Sequence, residues 1–482
     1  MLFDSANYYL FLFALFIIYY LLPNKFRWIL LLLGSISFYI IGGLNTFWVP
    51  ILIILNTYAC GILIEKNANN KFKSSYFAIG LTVNLGLLFF YKYINFFIAN
   101  TMNIFNYFNS ILNAPNTYIQ PLKLQFIVPL GISYVTFQAI GYLIEINRGN
   151  QYPEKNIAMF STYILFFPKL FSGPIERAHN FLPQLKLQHE FNYTNVISGF
   201  KRILWGLFVK LVIANRLALY TDPMFNDQVN HSGITLLIAS FLFMFQLFAD
   251  FSAYTDIAIG SAQIFGYKLM ENFKQPFLAK SVTEMWRKWH ISLTNWLNEY
   301  VYTPTVITLR YWNKIAIVFA LMFTFFIVGF WHGASWNYII LGLLQGFIIS
   351  IEFFTKKIRK NIRNKIPVWL NNILGISFTL CYFCFSCIFF KSHGASDAFL
   401  IIKKILSFSG PIYNENPSIL ISSFIGVLLL MAVQIKKEYY DDKISFFDNH
   451  NMLIRYFSYS VIIVAILLFG IFETREFIYI QF

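Results

Sequence analysis

Apolar runs recur along this chain from Tyr8 almost to its end, each near the roughly 20 residues that a spanning helix needs. Their number predicts an all-α polytopic membrane protein of about 11 to 13 segments, some of them re-entrant. Runs near 8–22, 28–42, 47–63 and 76–98 read as an ordinary four-span start, followed by an uncharged, Asn-rich loop. Runs near 369–390, 418–434 and 456–472 read as an ordinary end. Between them, from about Ile127 to Ile351, Pro, Gly and ionisable residues break the apolar pattern. The reading is one membrane domain over 1–482: spans in 1–122, a catalytic core in 123–354 and closing spans in 355–482. Irregular backbone at membrane depth survives only inside protein or beside water. The chemistry is therefore expected in the broken middle.

Composition agrees. The 482 residues are 57% hydrophobic and 12% charged, where soluble domains carry about 25% charge. The net charge of +15 would suit nucleic acid on a soluble surface, but here Lys and Arg sit in short loops between apolar runs, as the positive-inside rule requires. Lys25, Arg27, Lys66, Lys71 and Lys73 alternate with uncharged connections. That pattern predicts an outside N-terminus, a cytoplasmic Lys356–Lys360 cluster and no nucleic-acid partner. The first run has no basic residue ahead of it and no small-residue cleavage site behind it, so it reads as a retained helix. Cys381, Cys384 and Cys387 lie in a Phe-rich apolar run and read as packing residues; no metal site is expected.

Four constellations stand out in the middle. Ala316–Ile351 contains no Asp, Glu, Lys or Arg, and as one helix its 36 residues would extend about 54 Å against a hydrocarbon core of about 30 Å. It must break, and Gly329-Phe330-Trp331-His332-Gly333-Ala334-Ser335-Trp336-Asn337 is the place. An ionisable residue at that depth points to function, and imidazole suits a general base; the alternative is an interfacial histidine in a belt of Trp331 and Trp336. Ser281–Tyr300 begins with a capping box, Ser281 and Glu284. It predicts one amphipathic helix with Met285, Trp286, Trp289, Leu293, Trp296, Leu297 and Tyr300 on one face and Arg287, His290, Thr294 and Asn298 as a polar stripe. That helix either lies at the interface or lines a polar cavity. Asp250 and Asp256, six apart in an apolar region, would not share a helix face; they are expected to cap helix ends, pair with Arg or Lys, or orient a histidine. Phe166–Arg177, with Pro168, Gly173 and Pro174, predicts a re-entrant turn carrying Lys169, Glu176 and Arg177, and Pro129–Gln138 is a milder version.

No P-loop, dinucleotide fingerprint, H-E-x-x-H or G-x-S-x-G motif is present, which leaves proton transfer as the chemistry of the buried histidines. The blocks PLGISYVTFQAIGYLIEINRG, FFPKLFSGPIER, ADFSAYTDIAIG, MWRKWHISLTNWL and GFWHGASWNYIILG, with the ending Phe477–Phe482, resemble the membrane-bound O-acyltransferase family, in particular its bacterial alginate O-acetyltransferase-like branch. The resemblance implies a ring of tilted helices around a funnel-shaped core in the bacterial cytoplasmic membrane. It implies a catalytic His332, with His290 in the same funnel. The expected reaction moves an acyl group, most simply acetyl, from a cytoplasmic donor (acetyl-CoA or an acyl carrier protein) to a hydroxyl of an extracytoplasmic glycan, with no bound cofactor. Trp286, Arg287, Trp289, Asn298, Trp331, Ser335, Trp336, Asp250 and Asp256 form the expected substrate-contacting set. Membrane lipid and secreted acetylation proteins are the other expected partners. Many relatives carry a Gly-Gly-Asn-Arg-type loop where this chain reads Thr303–Arg310, so specificity is not carried over from any one of them. The rival readings are D-alanyl or peptidoglycan O-acyl transfer and, from another class, a transporter with broken helices.

Overall fold

The computed structural model describes residues 3–112, 120, 122–413, 416–440, 447, 449–473 and 477–478. Among them there are helices and connections but no strand. Nine helices among the described residues are long and apolar enough to cross a membrane, and two shorter apolar helices, Ala6–Leu21 and Ile157–Lys169, accompany them. Of the expected C-terminal signature, residues 479–482 lie outside the described residues.

One connection differs from its expectation. The predicted span near 76–98 and the first part of the uncharged loop after it form a continuous helical stretch, Phe72–Ile111. Neither Pro nor Gly interrupts it after Gly86, and its Asn side chains find partners beyond their own turn. Asn95 exchanges two 2.9 Å hydrogen bonds with the backbone of Leu124. At about 60 Å of rise the stretch is too long for one straight crossing, and a π turn at Phe89–Tyr93, carrying Lys92, interrupts its register.

The helix Gly233–Gln263 is the most enclosed of the candidate spans, with 78% of its apolar window buried. Its first part belongs to a core built with the C-terminal helices. Its last part, from Tyr254, belongs to a core built with the N-terminal helices and the Phe166–Phe171 turn. One helix thus forms the wall shared by two cores. The helix Tyr193–Phe208 lies against it through small residues: a Cβ on Gly199 would stand 2.8 Å from the Gly260 carbonyl oxygen, and one on Gly206 2.9 Å from that of Ala253. Lipid offers no hydrophobic drive between helices, so such close backbone approach supplies the packing energy.

The two ends of the bundle differ in charge. The short helix Lys356–Arg363 marks a basic end. The 24-residue helix Val368–Lys391 leads away from it and, at about 36 Å, carries Lys391 to the opposite end.

Candidate active site

The apolar run breaks where its length demanded. Helix Lys314–His332 stops at His332, Gly333–Ser335 form an extended connection, and helix Trp336–Phe354 begins. The two pack as a hairpin so close that a Cβ on Gly329 would stand 2.2 Å from the Tyr338 carbonyl oxygen, and one on Gly342 2.1 Å from that of Phe325. At Gly333 a Cβ would meet the Tyr338 ring at 2.4 Å. The far side is pinned by Asn337, whose Nδ2 donates to the carbonyls of Phe389 and Ser392, both at 2.9 Å. His332 is therefore the buried last residue of a helix held on both flanks, its ring 5.1 Å from that of Trp331 and 5.4 Å from that of Phe390.

The carbonyl of Trp331, an end-of-helix acceptor, receives a hydrogen bond from Lys92, which also reaches the Ser133 hydroxyl at 3.3 Å. Lys92 escaped the sequence reading because its run looked ordinary. A lone cation inside an apolar span was the available signal.

The segment Ser281–Tyr300 does not form the single amphipathic helix that its periodicity predicts. It makes two short helices, Val282–Lys288 and Ile291–Leu297, separated by Trp289 and His290. The capping box half forms: the Ser281 hydroxyl accepts from Glu284 N at 3.1 Å, while the Glu284 carboxylate takes Lys280 N at 2.9 Å instead of Ser281 N. Glu352, from the other arm of the histidine hairpin, accepts from Val282 N at 2.9 Å and Thr283 N at 3.0 Å. His290 has φ 44°, ψ 52°, the left-handed region that non-glycine residues rarely occupy. The connection Asn272–Lys274 crosses it and holds it there: Lys274 N donates to Lys288 O and Ile291 N to Asn272 O, each at 2.9 Å. Helical periodicity cannot foresee this, because backbone partners 14 to 19 residues upstream outcompete the continued helix.

The kink takes His290 off the polar stripe and buries it. Its Nδ1 lies 3.3 Å from Asn272 Oδ1. That oxygen also accepts from Ser292 N at 3.2 Å and from the Ser292 hydroxyl at 2.6 Å. A backbone N–H can only donate, so the Asn272 atom is the oxygen, and His290 must offer it Nδ1–H. In the neutral ring Nε2 is then the basic nitrogen. Burial pushes the His290 imidazole well below the usual histidine range, and the neighbouring His332 acts in the same direction. Asn272 is a positioning residue that the sequence reading missed.

Trp331 stands between the imidazoles, 6.1 Å from the His290 ring and 5.1 Å from that of His332. Tyr134 closes the group, 6.4 Å from His290 and 5.4 Å from Trp331. The indole nitrogen of Trp331 is buried without a hydrogen-bond partner among the described residues. A buried donor of that kind is costly unless something arrives to accept from it.

A cavity of about 1020 Å³ opens at the basic end. Its lining holds six Lys and Arg (Lys280, Arg287, Lys356, Arg359, Lys360 and Arg363) against Glu284 and Glu352. Trp286, Asn298 and Thr294 line it too, and its inner wall includes Leu321, Thr324 and Val328 of the histidine helix. Val328 lies one turn, about 6 Å, from His332 along that helix. Trp286 is held by a 3.1 Å bond from Nε1 to Gln345 Oε1.

The other expected contacts are elsewhere. Trp289 is buried against Phe383 and Phe273, with ring centroids 5.0 and 5.2 Å away. Ser335 is the N-cap residue of Trp336–Phe354 and makes no side-chain capping bond. Trp336 is exposed, and its Nε1 donates to Asn100 Oδ1 at 2.9 Å. Asp250 and Asp256 each take a cation, one of the roles expected of them: Asp250 pairs with Lys210 and Asp256 with Arg202, both at 2.8 Å or less. The Phe166–Arg177 stretch is the irregular buried turn that its prolines predict; Lys169 donates to Gln138, and Glu176 accepts from Met270 N. Ile175 N donates to the Ser292 hydroxyl at 3.0 Å, tying this turn to the His290 loop. Thr303–Thr308 is a short helix.

Comparison with known proteins identifies the family. The family model for the membrane-bound O-acyltransferases matches residues 35–391. The chain is 30% identical to a peptidoglycan O-acetyltransferase of Helicobacter pylori over 79% of its length and 74% of that protein. It is 33% identical to a probable alginate O-acetylase, AlgI, of Pseudomonas syringae over 72% of its length and 65% of that protein. A teichoic acid D-alanyltransferase of Bacillus subtilis is 30% identical over 53% of the chain and 67% of its own length. These matches set the transporter reading aside. A multi-pass bundle with a broken helix, two buried imidazoles and a matching family model over most of its length belongs to the membrane-bound O-acyltransferase family, and the chain is an O-acyltransferase.

Proposed function

We propose that this protein moves an acetyl group from a phosphate-bearing thioester in the cytoplasm to a hydroxyl of a glycan on the other side of the bacterial cytoplasmic membrane. The observation that carries the reading is the basic cavity whose inner wall is the histidine helix itself. Its cationic mouth suits the phosphates of acetyl-CoA or of a carrier protein's phosphopantetheine arm. By the positive-inside rule that mouth is cytoplasmic, so the acceptor approaches from the opposite end.

In the reaction His332 takes the proton from the acceptor hydroxyl as its oxygen attacks the thioester carbonyl. The Trp331 N–H donates to the developing oxyanion. As the C–S bond breaks, the imidazolium returns the proton to the departing thiolate, so no net proton is released. His290, presenting Nε2 from its Asn272-held ring, orients the reacting groups. Arg287, Trp286 and Asn298 hold the donor arm, with Thr324 deeper in the same cavity.

The test is acetyl transfer to surface glycan, followed by mass spectrometry, for wild type and His332→Ala protein at matched membrane levels. General-base assistance is worth about 10²–10⁴-fold, and a loss of that size is expected. Undiminished acetylation by the variant would overturn the assignment.

A further inference from the structure

A second cavity, of about 450 Å³, lies toward the end of the bundle opposite the basic cluster. Its mouth carries an ion pair, Lys391 Nζ to Asp222 Oδ1 at 2.7 Å, with side chains 23% and 33% exposed. Its base carries another, Lys210 Nζ to Asp250 Oδ1 at 2.7 Å, with side chains 1% and 5% exposed. Counted from Gly233, Asp250 lies about 25 Å down the central helix. The second oxygen of Asp250 accepts from Ile478 N at 2.7 Å. Between the two pairs the wall carries amides: Gln246, whose oxygen accepts from the Thr221 hydroxyl, Asn215 and Asn226.

This lining has two lysines and two aspartates and so no net charge. It offers nothing to hold a phosphate or a lone cation against solvent. It offers alternating donors and acceptors at short intervals, which suits hydroxyl groups, since each both donates and accepts. The volume falls within the ligand range of about 300–1,000 Å³. The shaft also stands beside the reaction line and not on it. Lys391 Nζ lies 5.4 Å from the Phe243 ring, Phe243 6.3 Å from Phe390, and Phe390 5.4 Å from His332. Two phenyl rings therefore separate the shaft from the imidazole.

We propose that this shaft is a saccharide subsite: it grips an uncharged stretch of the acceptor glycan at a distance from the hydroxyl that reacts, so that the acceptor is recognised as a polymer. The identity of the bound chain as acceptor rests on the function proposed above; the existence of the site does not.

Full-length protein in lipid nanodiscs, without acyl donor, should bind a neutral N-acetylglucosamine tetramer, read by saturation-transfer NMR, and bind it more tightly than an alginate tetramer. Asp222→Leu with Lys391→Leu removes the mouth pair without changing net charge and should weaken tetramer binding at least tenfold. In the transfer assay the same change should abolish the preference for tetramer over monosaccharide. Asn226→Leu, at the rim, provides a second variant should the double one fail to assemble. His332→Ala should bind the tetramer as wild type does, whether or not it transfers acetyl, which separates failure of the subsite from failure of the catalytic assignment. Absence of tetramer binding by wild type, equal binding by folded shaft variants, or tighter binding of the alginate tetramer would each overturn the proposal.

Discussion

The two cavities use the same residue types to opposite ends. At the basic end, cations outnumber acids six to two and several are exposed helix residues. In the shaft every lysine stands against an aspartate at 2.7 Å. Unpaired surface cations attract a mobile anion and cost little, because water and salt screen them. A cation carried to mid-bundle needs a counterion or fixed dipoles, as Lys92 has in the Trp331 carbonyl and the Ser133 hydroxyl, because an uncompensated buried charge is costly. On the readings proposed above, net charge suits a phosphorylated ligand on one side, and charge balance suits a polyol on the other.

The largest expected contrast is in stability. Lys210→Ala would strand Asp250 in the shaft's base and should cost about 3–5 kcal/mol, whereas Lys356→Ala in the basic mouth should stay within about 0.5 kcal/mol. Thermal unfolding in nanodiscs compares them, and equal melting temperatures would erase the distinction. Next is the link between cavity and chemistry. Asn272→Ala releases the His290 ring and should lower kcat about 10²-fold, while Asn272→Asp, which keeps an acceptor on Nδ1, should retain most of the rate. A purely structural asparagine would show no such rescue. Gly342→Ala drives a methyl toward the Phe325 carbonyl and should cost about 1–3 kcal/mol. Because the hairpin walls only the basic cavity, it should impair donor turnover without loss of tetramer binding. The smallest effect belongs to the exposed charges. Lys360→Glu with Arg363→Glu should raise the KM for acetyl-CoA about tenfold at low salt. The gap should narrow as ionic strength rises and vanish with a phosphate-free acetyl thioester. A salt-independent gap would mean that the mouth recognises something other than phosphate.

Much of this was legible beforehand for local reasons. Spans are legible because the bilayer imposes a length and a polarity on each segment. The break at Gly329–Asn337 is legible because 36 uncharged residues exceed any single crossing. The turn at Phe166–Arg177 is legible because two prolines cannot both sit inside a helix. The His290 kink was not legible, since its periodicity is helical throughout and the connection that breaks it comes from Asn272–Lys274. Nor was the continuation of Phe72–Ile111 past residue 98, where Asn-rich sequence imitates a loop.

The sequence by itself determined that the chain is a helical membrane protein of this family, where its longest apolar run must break, and that a histidine sits at the break. The family rests on the resemblance of its sequence blocks; the rest follows from short-range rules of length, polarity and backbone freedom. The tertiary structure alone decided that His290 faces Trp331 and His332 from the far side of a strained turn, that Asp250 and Asp256 serve as counterions, and that a cation-rich lining and a charge-balanced lining divide between two cavities. Each of those depends on groups far apart in the chain meeting at hydrogen-bond distance, and no local pattern encodes such a meeting.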